Sequence, residues 1–352
     1  MDIIRATRDY EAWLASQTAV VAADLRLKHQ RMRESPFVFL RGTFYRWSQQ
    51  WPSLGNELTA APPVLSVGDL HIENFGTWRD TEGRLVWGVN DVDECCTLPY
   101  TNDLVRLATS ACLAVRATHF SLSTATICEA ILEGYLASLD CGGRAIVLAE
   151  RRRWLRRVAE SEERDPDRYW ERLRGLPVAT GAAPHAALRS IMPSSRIAYR
   201  VHRRVAGVGS LGRQRFVAIA EWDGGPIARE AKAWVPSAAV WAGAPAREGV
   251  AEQLLARSVR APDPFFAIRQ PWIVRRLAPD CSRIEVADLP TRRSERRLLR
   301  AMGWEAGNMH ASAGRSRVVT QDLARRSDGW LQHAAEAMVA ATIADWRQWK
   351  RR

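Results

Sequence analysis

Gly68-Asp69-Leu70-His71-Ile72-Glu73-Asn74-Phe75-Gly76, GDLHIENFG in one-letter form, follows directly on the short apolar run VLSV (64–67). NDVDE (90–94) follows a second such run, LVWGV (85–89). Short β-branched and aromatic runs bounded by turn residues read as strands. Each strand therefore delivers acid and amide side chains at its end. If the two strands are neighbours, these ends form a compact, oxygen-rich cluster. Magnesium takes such ligands while keeping several waters and binding a substrate phosphate. Phosphoryl transfer needs a carboxylate beside the attacking hydroxyl, an Asn and an Asp on the metal, and a cation on the phosphates. Asp69 offers the first; Asn74 and Asp91 offer the second. Asp, Asn and Gly crowd ordinary turns, so the reading rests on the combination and on no single residue. His71 is expected to hold the loop through backbone hydrogen bonds, because no second His stands at ligand spacing.

The cation is sought further along. GVGSLG (207–212) contributes Gly207, Gly209, Ser210 and Gly212. A dinucleotide-binding GxGxxG opens a helix, and a Walker A loop ends in GK[ST]. Here RQRFVAIAEW follows, then a DGG turn, so the glycines mark a hairpin tip between strands. In protein kinases a glycine-rich hairpin covers the nucleotide phosphates and the next strand carries a phosphate-contacting lysine. The next strand here, PIAREAKAWV (226–235), carries Lys232. Only Lys28, Lys232 and Lys350 among the 51 basic residues are lysines. Arginine is a planar fork and lysine a compact point charge, so a surviving internal lysine marks a place where the fork does not serve. Glu252, on a helix expected over about 246–258, is the first choice to hold Lys232, and Glu248 the second.

Composition sets the frame. The chain has 352 residues, a formal charge of +12, 47% hydrophobic and 26% charged residues. This is ordinary globular composition and excludes a disordered chain. No apolar run approaches the roughly 20 residues that span a bilayer. The first residues, MDIIRATRDYEAWLASQ, place charges where a signal peptide has its apolar stretch, so a cytoplasmic protein is expected. The six cysteines form no CxxC pair and are expected to be reduced thiols. Basic clusters at 151–157 and 292–300 sit in helical patterns with acids nearby and lack any nucleic-acid-binding signature. They read as solvated helix faces, and no nucleic-acid partner is expected.

Periodicity suggests four segments. Residues 1–60 form an N-terminal helical segment, with a helix over 8–33 and a buried aromatic stretch over 35–47. Residues 61–195 carry both acidic motifs, followed by helices over 102–118, 123–139, 144–163 and 165–175. Residues 196–290 form a β-rich lobe with strands over 197–208, 215–222, 226–235, 265–269 and 272–277. Residues 291–352 form helices that return to the acidic lobe. The fold class is α+β.

With these parts assembled, the chain resembles the kinase-like superfamily in an unusual order. GDLHIENF resembles the catalytic loop of aminoglycoside and choline phosphotransferases, with Asp69 matching the catalytic Asp and Asn74 the metal-binding Asn. VNDVDE resembles their metal-binding segment, with Asp91 as first choice and Asp93 as second for the metal, and Asp103 in NDLVRL a structural Asp of the following helix. The glycine loop and lysine come about 140 residues after the catalytic Asp instead of before it. The resemblance therefore implies a two-lobed, circularly permuted protein-kinase-like fold, and permutation is physically reasonable where termini lie close. SPFVFLRG (35–42), GDLHIENFG, NDVDE, GVGSLG and AREAKAW together are similar to an uncharacterised bacterial family, domain of unknown function 2252, along nearly the full chain. Together they imply an ATP- and magnesium-dependent phosphotransferase, with a nucleotide and an unknown hydroxyl-bearing acceptor as partners. A small-molecule acceptor is slightly favoured over protein. AMP transfer and non-catalytic nucleotide binding are the alternatives. Lys232 is then expected to face Asp91 across one cleft, and His310 to pack beneath the catalytic loop.

Overall fold

The computed structural model describes residues 2–117, 122–148, 154–156, 165–281, 292–311 and 315–352. The chain opens with α1 (Ile3–Gln17), capped by the Asp2 carboxylate on the Arg5 amide, and α2 (Ala22–Arg31). The single helix expected over 8–33 is thus broken. Val20 leaves the helix to form a β-bridge with Arg213, and the Val21 amide donates to the Gly212 carbonyl. β-Branched residues favour this extended backbone, and the bridge fastens the N-terminal helices to the glycine hairpin. The aromatic stretch folds into α3 (Pro36–Gly42), with Ser35 as cap and Pro36 at its first position, and α4 (Phe44–Gln50). Phe39, Phe44, Tyr45 and Trp47 are buried, as expected.

After the short helix α5 (Asn56–Thr59) come β1 (Pro63–Ser66), β2 (Phe75–Arg79), β3 (Leu85–Val89) and β4 (Cys96–Pro99). The strands that lead into the two acidic motifs are not sheet neighbours. β1 pairs with β4, whereas β3 pairs with β2 and with the two-residue β5 (Ile146–Val147). Phe75–Arg79 turns back as a strand straight out of GDLHIENFG, and this is what brings the two loops together. The long helices α6 (Tyr100–Ala117) and α7 (Thr124–Asp140) follow. The helix expected over 144–163 is replaced at its start by β5; residues 154–156 are helical and much of the remainder lies outside the described residues. The basic cluster at 151–157 falls largely there as well.

Next come α8 (Pro166–Arg174) and α9 (His185–Arg189), and then the β lobe. Its strands are β6 (Arg200–Arg203), β7 (Arg215–Trp222), β8 (Gly225–Ala233), β9 (Ala267–Arg269) and β10 (Trp272–Leu277). They form one antiparallel sheet in the order β6-β7-β8-β10-β9, matching the strands expected from the alternating pattern. α10 (Ala238–Trp241) and α11 (Val250–Arg257) lie between β8 and β9. One face of the sheet buries Val201, Phe216, Ala218, Ala231 and Val274 against Leu188 and Ile191. On the other face, α8 lays Tyr169 and Leu173 over Val217, Ala228 and Leu277.

The chain ends in α12 (Arg292–His310), α13 (Arg315–Leu323) and α14 (Trp330–Lys350). α12 packs against α7 at glycine contacts: a Cβ on Gly134 would lie 1.9 Å from the Arg300 carbonyl oxygen, and one on Gly303 2.0 Å from that of Ile131. Arg296 and Arg300 in the second basic cluster pair with Glu133 of α7, as a solvated helix face would. The main core joins residues from α1 to α14, so the C-terminal helices share one interior with the acidic loops. Among the described residues no helix is long and apolar enough to cross a membrane.

Candidate functional site

Asp103, near the start of α6, is fully buried and sets the position of the first loop. It accepts hydrogen bonds from the Val67 amide (2.7 Å) and the Gly68 amide (3.0 Å). His310, at the end of α12, bonds to the same carboxylate through Nε2 at 2.9 Å and to the Tyr135 hydroxyl through Nδ1 at 2.9 Å. His310 thus packs beneath the loop, as expected. Gly68 is required here: its φ is +80°, and a Cβ would lie 2.1 Å from the Glu94 carbonyl oxygen. This close approach joins the first acidic loop to the second. His71 accepts from the Glu73 amide through Nδ1 at 3.2 Å, the backbone role expected of it.

Asp69 lines a cavity of about 400 Å³ between the helical body and the β lobe. Its Oδ1 accepts from Arg106 Nε at 2.6 Å, and Arg106 is itself fully buried over the rings of Phe44 and Trp47. Burial raises the carboxyl above its usual value, with the Arg106 charge and hydrogen bond acting against this. An acid held by one buried arginine keeps a fixed direction and leaves its second oxygen for a hydroxyl proton. Arg106 had no sequence signal beyond its place one helical turn after Asp103. Arg41, also lining the cavity, pairs with Glu73 at 2.5 Å.

Asn74 clasps the two loops. Its Nδ2 donates to the Asp69 carbonyl (3.1 Å) and the Asp91 carbonyl (2.9 Å), and its Oδ1 accepts from the Asp91 amide (2.9 Å). The amide is therefore largely spent on backbone, although Asn74 lines the cavity together with Asp91 and Asp93. Lys232 reaches across from β8 to both acids. Its Nζ lies 3.2 and 3.1 Å from the Asp91 oxygens and also pairs with Asp93 Oδ2. The ammonium is almost wholly buried, whereas the Asp91 side chain remains 44% exposed, within the cavity. Burial opposes the Asp91 charge, but Lys232, a hydrogen bond from Asp93 and the Arg275 and Arg215 charges outweigh it and hold the carboxyl well below its usual range. Burial and the neighbouring Asp91 charge push Asp93 up to about 7. Two motifs 141 residues apart thus meet in one ion cluster, as the cleft expectation required.

The glycine hairpin closes the cavity from above. Gly207, Gly209, Ser210 and Gly212 lie in the turn between β6 and β7, as read from the sequence. A Cβ on Gly209 would lie 3.1 Å from the Arg41 carbonyl oxygen and 3.7 Å from Asp69 Oδ2, so the tip of the hairpin stands over Asp69. Lys28 of α2 donates to the Gly209 carbonyl at 3.2 Å. Burial lowers its ammonium to about 8, against the pull of Glu11. At the foot of the hairpin, buried Arg213 binds Glu94 at 2.7 Å and Asp93 at 3.5 Å, locking the hairpin to NDVDE.

The expected partner of Lys232 is corrected. Glu252 and Glu248 are exposed and make no ion pair with Lys232 among the described residues. α11 packs through its buried Ala251 and Leu254 toward β1, β4 and α12, away from the lysine. Asp91 and Asp93 take that place. The acid two residues before Lys232 on the same strand face, Glu230, has a different role. It is buried and binds three arginines: Arg204 at Oε2, Arg215 (3.0 Å) and Arg275 (2.9 Å) at Oε1. Register explains the grouping. Arg215 pairs with Lys232, and Arg275 pairs with Glu230, so these side chains share the cavity face. Burial opposes the Glu230 charge, and Arg215, Arg275 and Arg204 override it, holding the carboxyl well below its usual value. The strand period in REAK was the signal that could have found it: two charges two residues apart in an apolar strand face one side.

Among the described residues no three His, Cys, Asp or Glu side chains are grouped to hold a metal ion. Asp91 and Asp93 offer a smaller set: two carboxylates two residues apart, one of them open to the cavity. That set suits a magnesium ion, which keeps most of its waters and takes one or two protein carboxylates.

No curated protein and no solved structure matches the chain. Residues 20–173 match the family model described as "Uncharacterized protein conserved in bacteria (DUF2252)", a span that holds Asp69, Asn74, Asp91, Asp93 and Arg106 and ends before the sheet that carries Lys232.

Proposed function

We propose that the chain is an ATP- and magnesium-dependent phosphotransferase of permuted kinase-like fold, acting on a hydroxyl acceptor. The observation that carries this reading is the meeting of Lys232 with Asp91 and Asp93 beneath a glycine hairpin whose tip stands over Asp69. Asp69, steadied by Arg106, would orient the acceptor hydroxyl and take its proton. Lys232 and the hairpin would bind phosphate oxygens, and Asp91 and Asp93 would hold magnesium. The ion, when bound, supplies positive charge against the phosphates. Positioning and preorganised charge then supply most of the rate. Gly209 and the N-terminal helices enclose the Asp69 end of the cavity, which supports a small acceptor over a protein.

A second reading is AMP transfer by the same site. It is favoured by one observation: besides Lys232's acids, the cavity is lined from the β lobe by Arg204, Arg215 and Arg275. Calorimetry of ATP with and without magnesium tests the shared site. Magnesium-dependent binding that weakens at least tenfold in Lys232→Ala and in Asp91→Ala is expected. Binding indifferent to both changes in folded proteins rejects the proposal. Product analysis separates the readings, ADP for phosphoryl transfer and pyrophosphate for AMP transfer.

A further inference from the structure

We infer that Arg204 and Arg275, gathered on Glu230 beside the Lys232–Asp91 cluster, form a subsite for the terminal phosphates of a triphosphate that needs no metal. The first argument is charge. Arg204, Arg215, Arg275 and Lys232 meet the three acids Glu230, Asp91 and Asp93, so cations outnumber acids on this wall of the cavity. The second is unused donors. A guanidinium carries five N–H groups. Arg215 spends its head on Glu230 and on Ser210 Oγ (2.7 Å), supporting the hairpin. Arg204 gives only Nη1 to Glu230, and Arg275 only Nε. Among the described residues the rest of these two head groups meets no other protein acceptor, and their side chains are 26% and 21% exposed at the cavity. Forked donors of this kind match phosphate geometry.

The third argument is exclusion. An uncharged nucleobase needs an open apolar wall. On this face of the sheet the apolar residues Val217, Ala228 and Leu277 are already covered by Tyr169 and Leu173 of α8. Tyr169 and Leu277 line the cavity but are only 9% and 5% exposed, less than Arg204 and Arg275 beside them. A triphosphate whose terminal phosphates lie against Arg204 and Arg275 places its α-phosphorus toward Asp69. In that orientation the acceptor oxygen forms a bond to the α-phosphorus, the bond from that phosphorus to the bridging oxygen breaks, the hydroxyl proton passes to Asp69, and pyrophosphate leaves. The inference rests on the second reading above, AMP transfer, for the identity and orientation of its ligand.

The test is metal-free and needs no acceptor, so it stands or falls apart from any activity. Inorganic tripolyphosphate, ATP and AMP are titrated calorimetrically in excess EDTA against the wild-type protein, Arg204→Gln and Arg275→Gln. Tripolyphosphate and ATP are expected to bind the wild type and to weaken at least tenfold in each variant, while AMP binding stays within twofold. Should a glutamine variant unfold, Arg204→Lys and Arg275→Lys keep the charge but lose the fork, and weakening of at least threefold is then expected. Absent tripolyphosphate binding, or binding unchanged in the folded variants, overturns the subsite. Equal weakening of AMP overturns its assignment to the terminal phosphates. Binding of tripolyphosphate without ATP keeps the subsite and assigns it to inorganic polyphosphate.

Discussion

Replacing Glu230 with glutamine keeps the shape of the side chain and removes one charge from a buried cluster of four ions. The three arginines then face one another around a neutral amide. At an effective dielectric of about 20, unit charges near 4 Å interact by roughly 4 kcal/mol. Arg204 and Arg275 are partly exposed and recover some solvation, so the three lost attractions do not add in full. Breaking a buried ion pair by removing one partner costs about 3 to 5 kcal/mol, and that is the loss expected here. For a chain of this length it corresponds to a melting temperature lower by about 4 to 7 °C. The effect also carries a pH signature. The arginines hold the Glu230 carboxyl well below 4.5, so its contribution is fully present above that value and fades as pH falls toward the folded-state value. The deficit of the variant should therefore be largest at neutral pH and shrink on acidification. The assay is calorimetric melting of both proteins from pH 7 down to the acid limit of stability. The same experiment with tripolyphosphate reads the subsite, because an anion among unpaired arginines stabilises the variant more than the wild type. A melting shift below 2 °C at pH 7 would refute the view that this carboxylate holds the arginines.

Further outcomes follow from the loops. Gly68→Ala forces a Cβ against the Glu94 carbonyl at a φ of +80°. It should cost about 2 to 4 kcal/mol in denaturant unfolding, through left-handed strain and a displaced loop. Asn74→Ala removes three loop-to-loop hydrogen bonds. At about 1 kcal/mol each this is a loss of about 3 kcal/mol, and faster amide exchange should be confined to the Asp69 and Asp91 loops. Lys28, facing Glu11, Arg213, Glu94 and Asp69 and held at about 8 against an ordinary 10.5, binds its proton less tightly folded than unfolded. Stability should rise between pH 8 and 10 relative to Lys28→Met, and parallel profiles for the two proteins would contradict this.

Much of the architecture can be read from local pattern. The β lobe follows from alternation and turn residues, and its five strands lie close to where the residues place them. The breaks in the reading have physical causes. Val20 and Val21 sit in a helical pattern, yet the extended bridge to Arg213 is a contact 193 residues away that local propensity does not contain. Phe75–Arg79 was hidden because a strand that begins inside a turn-rich motif has no boundary of its own. For the site, acid motifs and lysine were legible because their residue types are unusual at strand ends and in an arginine-rich chain. The partner of Lys232 was not, because a following helix need not lie over the strand before it; here α11 packs the other way. Arg106 and the Glu230 cluster stayed hidden for a different reason. With 51 basic residues, no single arginine stands out until the fold selects it.

The same scarcity that marked Lys232 yields the sharpest test of why it is a lysine. Of three lysines, Lys28 and Lys232 are buried at the site and Lys350 is exposed. Lys232 Nζ stands between the carboxylates of Asp91 and Asp93, which lie two residues apart, and Lys28 Nζ meets a single carbonyl beneath the hairpin tip. Both places take a small ammonium with donors on all sides. A guanidinium is planar and wider, and its donors lie in one plane, so at position 232 it can engage one carboxylate bidentately but not both alike. Lys232→Arg preserves charge, so an effect of charge alone predicts a near-wild-type protein. The geometry predicts otherwise. The larger head must displace Asp91 or Asp93, the like charges of the pair are then unequally compensated, and magnesium-dependent ATP binding should fall at least tenfold although the net charge is unchanged. Melting should fall less than in Lys232→Ala, because a buried cation is still present to meet the acids. If Lys232→Arg binds ATP as the wild type does, lysine is there by chance of composition, and the argument that joined residue scarcity to function fails with it.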